Sequence, residues 1–144
     1  MTNELATEKH VLVVDDEPDF AALVQAILLK AHYTVTVAYN CEEALEQVRD
    51  IRPDIITLDM QMPRKSGALF YRTLKSDEQY RDIPVVVLTA VTVDDTEMKN
   101  LLRGLLETEH LPPPAAYLEK PIESPELLAT LQEILSPSQF VGAH

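Results

Sequence analysis

Three aspartates, a threonine and a lysine stand where they could do chemistry together. Asp15 and Asp16 follow an apolar run at residues 10–14, and Asp59 follows another at 55–58. Thr89 closes a third run at 83–88, and Lys120 lies just beyond a fourth at 115–118. Short apolar runs of this kind, the first three rich in β-branched residues, suit strands buried on both faces. In an open parallel α/β sheet, ligands bind in the crevice at the carboxyl ends of the strands, so these polar residues would share one edge. Carboxylates crowded there raise one another's pKa unless a cation intervenes. A hard divalent cation with oxygen ligands, Mg²⁺ above all, relieves the repulsion and leaves positions for water or phosphate. A carboxylate nucleophile, a metal, an ammonium and a hydroxyl are what phosphoryl transfer to an aspartate needs. Each residue also has an ordinary role. Asp15 and Asp16 could start a helix, Asp59 could cap a loop, Thr89 could end a strand and Lys120 could be a surface charge. All of them falling at strand ends together favours the chemistry.

The elements that must position these residues can be read from periodicity. Pro18 suits the first turn of a helix, and Phe20, Leu23, Val24, Ile27, Leu28 and Ala31 form its apolar stripe. Residues 33–38 read as a second strand. Asn40 and Glu43 resemble a capping box, ahead of a face made by Ala44, Leu45, Val48 and Ile51. A helix over about residues 66–75 turns Leu69, Phe70 and Leu74 inward. Met98, Leu101, Leu102, Leu105 and Leu106 line one side of the next, which Gly104 interrupts at a cost of about 1 kcal/mol relative to alanine. Pro112, Pro113 and Pro114 exclude helix interior. Ser124 and Pro125 start the last helix, with Leu127, Leu128, Leu131, Ile134 and Leu135 as its stripe. Five strands alternating with five helices predict a parallel sheet covered on both faces. One domain over residues 9–136 is expected, with flexible tails at 1–8 and 137–144.

The 144 residues carry a net charge of −12, from 24 acidic side chains against 12 Lys and Arg. That balance disfavours direct contact with a nucleic-acid backbone but suits a protein partner with a basic face. Cys41 is the only cysteine, which excludes an intramolecular disulfide and a cysteine-based zinc cluster. The polar N-terminus lacks the apolar core of a signal peptide. No apolar run approaches the roughly 20 residues of a membrane span. A cytoplasmic location is the expectation.

From residue 10 to residue 135 the chain resembles a response-regulator receiver domain of two-component signalling. The resemblance is carried by Val13-Val14-Asp15-Asp16-Glu17, by Asp59-Met60-Gln61-Met62-Pro63 with Gly67, by Thr89-Ala90, and by Tyr117-Leu118-Glu119-Lys120-Pro121. It implies a flavodoxin-like, doubly wound sheet in the order 2-1-3-4-5 with five helices. Asp59 resembles the phosphoacceptor, taking a phosphoryl group from a histidine kinase or a histidine phosphotransfer protein. Asp16, Asp59 and the main-chain carbonyl of Gln61 resemble the ligands of Mg²⁺ (or Mn²⁺), with Asp15 acting largely through bound water. The resemblance further implies that Lys120 pairs with the phosphoryl oxygens and that Thr89 swings in to hydrogen-bond the acyl phosphate. Tyr117 would repack inward behind it, and the Lys120–Pro121 bond would be cis. Output would pass to a downstream protein through the fourth helix, fifth strand and fifth helix. The same face allows for a homodimer.

The chain departs from the family between Gly104 and Lys120, which are 16 positions apart, more than the family's usual spacing. A tolerated loop costs little, but Leu105 and Leu106 continue the apolar stripe, which favours a lengthened fourth helix. Gln61 and Val91 flank the route of the hydrolytic water. Apolar Val91 cannot orient that water, so autodephosphorylation should be slow, and no enzymatic activity beyond an autophosphatase is expected. An aspartyl-phosphate phosphohydrolase would want an acid at Gln61, and a flavin-binding protein a glycine-rich loop, where this chain has three scattered glycines. A phosphorylation-independent, pseudo-receiver binding module is the alternative, set against the complete Asp15, Asp16, Asp59, Thr89 and Lys120 group.

Overall fold

The computed structural model describes residues 9–60, 66–90 and 93–136. The tails expected at 1–8 and 137–144 lie outside them, as do Gln61 and Val91. Strands β1 (His10–Val14), β2 (Thr34–Ala38), β3 (Ile55–Asp59), β4 (Val85–Thr89) and β5 (Ala116–Glu119) form one parallel sheet in the order β2-β1-β3-β4-β5. Helices α1 (Pro18–Lys30), α2 (Cys41–Asp50), α3 (Ser66–Ser76), α4 (Val93–Glu109) and α5 (Ser124–Leu135) connect or follow them.

Strand alternation divides the core into two layers. Leu12, Val14, Ile56, Leu58, Val85 and Val87 pack with Ala44 and Val48 of α2, Phe70, Tyr71 and Leu74 of α3, and Leu102 and Leu106 of α4. Val11, Val13, Ile55, Val86, Leu88 and Leu118 pack with Ala21, Val24 and Leu28 of α1 and with Leu127 and Leu131 of α5. Each central strand thus presents one set of side chains to either layer, which is why its sequence is apolar throughout.

Three side chains predicted to face inward do not. Leu23 and Leu69 are 50% exposed and Ile51 is 59% exposed. On α1, the stripe that seats on the sheet is Ala21, Val24 and Leu28, and Leu23 is a helical step of about 100° to one side. On α3 the buried residues are Gly67, Ala68, Phe70, Tyr71, Leu74 and Lys75, an arc that leaves Leu69 outside and includes Tyr71. Ile51 follows α2 in extended conformation, φ −137° and ψ 109°, so helical periodicity no longer directs it.

Helix starts explain the local breaks. Glu17 caps α1, its Oε1 accepting from the Asp19 N–H at 2.9 Å, with Pro18 next. Asn40 caps α2 by accepting from the Glu43 N–H at 2.8 Å. The Glu43 carboxylate reaches back to the N–H of Tyr39, also at 2.8 Å, one residue beyond a standard capping box. Ser124 is inside α5 and not its cap, which is Glu123 with no side-chain cap bond.

Helix α4 runs 17 residues, through Gly104, as the apolar stripe predicts. It stops at His110 in the left-handed conformation, φ 57°, where the Leu111 N–H returns to the Leu106 carbonyl at 3.0 Å, the Schellman pattern. Three contacts tie this end down. Arg72 Nε meets Glu109 Oε2 at 2.9 Å, the Tyr71 hydroxyl donates to the Pro112 carbonyl at 2.7 Å, and Arg81 Nη2 donates to the His110 carbonyl at 3.0 Å.

Candidate functional site

Parallel pairing brings the carboxyl ends of the strands to one edge. Asp15 follows β1 directly, and its N–H donates to the Ala38 carbonyl at the end of β2 (3.0 Å). Asp59 ends β3 and pairs in register with Leu88 on β4, whose last residue, Thr89, pairs with Glu119. The Lys120 N–H donates to the Thr89 carbonyl at 2.6 Å, and the Lys120–Pro121 bond is cis, as expected.

The predicted acids converge. Carboxylate oxygens of Asp15, Asp16 and Asp59 lie within 4.8 Å of one another. Asp15 and Asp59 are 1% and 2% exposed, whereas Asp16 faces solvent. Lys120 Nζ lies 3.1 Å from both oxygens of Asp59. The same ammonium is over the ring of Phe20, 4.4 Å from its centroid. Thr89 is buried at the end of β4. Tyr117 is 41% exposed on β5, with Lys99 Nζ 5.1 Å from its ring centroid, so its ring stands outward.

Electrostatics at this edge are uneven. Burial pushes the Asp15 carboxyl up to about 7; the Glu17 N–H opposes that shift, and Asp59 beside it adds to it. Asp15 Oδ1 accepts from that N–H at 2.9 Å, while its Oδ2 is buried with no hydrogen-bond partner among the described residues. Gly67 lets α3 approach: a Cβ there would stand 3.3 Å from the Asp59 carbonyl oxygen. Clustered acids with a buried, unsatisfied carboxylate oxygen fit a hard divalent cation bound through oxygen.

The family model of the response regulator receiver domain matches residues 11–132. The chain belongs to this family. Among curated relatives, this receiver is 35% identical over 126 residues to hybrid signal transduction histidine kinase D of Dictyostelium discoideum, covering 88% of this chain and 8% of that one. It is 32% identical over 127 residues to the polar-differentiation response regulator DivK of Brucella anthropi, covering 88% of this chain and 96% of the relative. It spans 52% of the phosphate regulon transcriptional regulatory protein PhoB of Pseudomonas aeruginosa, at 34% identity over 127 residues and 88% of this chain. The receiver domain of a Pseudomonas aeruginosa sensor histidine kinase superposes with a TM-score of 0.75 at 26% identity, over 89% of this chain and 98% of that one. That structure has a magnesium ion coordinated in its active-site cleft. A response regulator from Chloroflexus aurantiacus also gives 0.75, at 25% identity, over 90% and 98% of the two chains.

Receivers bind Mg²⁺ at an acidic pocket, and in this chain Asp15, Asp16 and Asp59 form an acidic cluster. Sequence reading placed Phe20 in the stripe of α1 and gave it no part in the site. Its position, one turn after Asp16 on the helix that leaves the acidic loop, is the signal that could have found it. No described helix is long and apolar enough to cross a membrane.

Proposed function

We propose that this receiver is a phosphorylation-controlled signalling switch. Asp59 takes a phosphoryl group from a phosphohistidine on a histidine kinase or histidine phosphotransfer protein. The observation that carries this reading is the Asp59–Lys120 pair, 3.1 Å to both carboxylate oxygens, set within the cluster of Asp15 and Asp16. A carboxylate oxygen of Asp59 attacks phosphorus. The new P–O bond forms as the P–N bond breaks, and the donor imidazole leaves with the electron pair and is neutralised by a proton. Mg²⁺ or Mn²⁺, held by Asp15, Asp16, Asp59 and the Gln61 carbonyl, would neutralise the carboxylates and the phosphoryl oxygens. Lys120, already at Asp59, pairs with the phosphoryl group, and the Thr89 hydroxyl donates to it.

Phosphorylation adds about two negative charges and strong acceptor oxygens. Drawing Thr89 and Lys120 toward them vacates space behind, which the outward ring of Tyr117 fills at the expense of its contact with Lys99. The face of α4, β5 and α5 changes with it, and a downstream protein reads the change in the cytoplasm. The shift can be no larger than the difference in stabilisation between the two states. With Val91 unable to orient a hydrolytic water, the acyl phosphate is long-lived. A lifetime of only seconds, followed by mass after donor removal, would contradict that.

Incubation with Mg²⁺ and acetyl phosphate, read by intact mass, tests the reading. One phosphoryl group should be gained, abolished by chelator and absent in Asp59→Asn. No gain, together with no change around Tyr117 on adding beryllofluoride, would leave the phosphorylation-independent binding module in its place.

A further inference from the structure

We propose that Phe20 is a positioning residue for Lys120, holding the ammonium against Asp59 by a cation–π contact. This inference rests on the reading of Asp59 as phosphoacceptor. Lys120 arrives from the loop after β5 and Phe20 from the first turns of α1, so the contact joins two elements far apart in sequence. Nζ lies 4.4 Å from the ring centroid, inside the roughly 6 Å over which a ring face attracts a cation. It simultaneously lies 3.1 Å from both Asp59 oxygens, and the Lys120 side chain is 17% exposed.

A lysine carries a flexible four-carbon stem and a compact, strongly hydrated charge. One ion pair leaves such a side chain several rotamers in which the ammonium returns to water. A ring face on the approach removes part of that freedom without neutralising the charge. A carboxylate in the same place would compete with Asp59 for Lys120 and add a further negative charge to a cluster that already holds three. Phe20 is half buried and packs on the layer that α1 and α5 share. Packing alone would accept leucine or methionine there; holding a cation requires a π face.

The test separates shape from electrostatics. Progressively fluorinated phenylalanines at position 20 keep the ring's outline while draining its negative face. The rate of phosphorylation by acetyl phosphate with Mg²⁺ should fall steadily along the series, by about fivefold in all, the size expected for losing a partly exposed cation–π contact. Phe20→Tyr should react near the parental rate and Phe20→Leu at the slow end. In the unphosphorylated protein, the ε-methylene protons of Lys120 should show an upfield ring-current shift that Phe20→Tyr keeps and Phe20→Leu loses. A flat rate across the fluorinated series, in a parent that does accept phosphate, overturns the role of Phe20 alone. A parent that accepts none overturns the phosphoacceptor reading, and the purpose given to Phe20 falls with it.

Discussion

At the edge of the sheet where β4 begins, Lys75 is 3% exposed, and its ammonium donates to the carbonyls of Arg81 (2.9 Å) and Ile83. At the opposite edge Asp15 is 1% exposed, and one of its oxygens has no hydrogen-bond partner among the described residues. Both are charged groups taken out of water, which is costly unless they are paired or hydrogen-bonded. Lys75 is met by backbone acceptors that hold the turn between α3 and β4, and the Tyr71 ring lies 5.6 Å away. Asp15 is met by Asp59, a like charge. Among the described residues, two other buried side-chain polar atoms lack hydrogen-bond partners, His10 Nδ1 and Thr57 Oγ1. The hydroxyl is neutral, and burial lowers the pKa of His10, which favours its neutral form. The unsatisfied carboxylate is therefore the distinctive one, and it lies at the edge to which the proposed function assigns a ligand, whereas the Lys75 edge is satisfied within the fold.

The largest expected effect tests the settled edge. Lys75→Ala should destabilise the fold by about 2–4 kcal/mol in urea unfolding, because it removes a buried stem and strands two carbonyls. The surviving folded protein should still accept a phosphoryl group. Equal loss of stability and of phosphorylation rate in the folded fraction would dissolve the contrast between the edges.

Asp15→Asn should do the reverse. Without metal it should stabilise the protein by about 1–2 kcal/mol at neutral pH and weaken Mg²⁺ binding, as relief of a destabilised functional site does. Titration then gives the two edges opposite signs. Asp15 has a folded pKa of about 7 against an ordinary 3.8, so the folded state binds more protons between these values, and its contribution to stability falls as pH rises through that window. Burial lowers Lys75 to about 8 from 10.5, partly opposed by Asp82. The unfolded state then binds more protons between those values, and that contribution rises with pH. Metal-free melting curves of the parent, compared with Asp15→Asn below pH 7 and with Lys75→Met above pH 8, would expose both slopes. Parallel curves in either pair would refute the corresponding assignment.

Two glycines sharpen the contrast at smaller scale. A Cβ at Gly104 meets nothing within 4 Å, so Gly104→Ala should stabilise the protein by about 0.5–1 kcal/mol through helix propensity. A Cβ at Gly67 would press on the Asp59 carbonyl at 3.3 Å. Gly67→Ala should gain less or nothing in thermal melting and should slow phosphorylation. Equal gains would mean that α3 does not need its close approach to the site.

Much of this was legible in the chain. Apolar runs ending at Asp15, Asp59 and Thr89, with Lys120 two positions past a fourth run at 115–118, forecast the parallel sheet and a shared edge, because strand alternation and helical period are local properties of side-chain pattern. The lengthened α4 followed from Leu105 and Leu106 continuing the stripe through Gly104. Local pattern failed where an element's rotation decided the outcome. Leu23 and Leu69 match a helical stripe on paper, but Tyr71 and Ala21 take the buried arc. Ile51 lost its place because α2 ends one residue before it.

The sequence by itself determined where the strands would end, and with that the gathering of Asp15, Asp16 and Asp59 at one edge. Only the tertiary structure decided that Lys120 reaches Asp59 across 61 positions of chain with Phe20 beneath it, that Tyr71 bonds to Pro112, and that Lys75 is a satisfied buried cation. The physical reason is that strand order and helix rotation bring together residues whose separation in sequence carries no periodic signal. Such contacts exist only after the layers have packed.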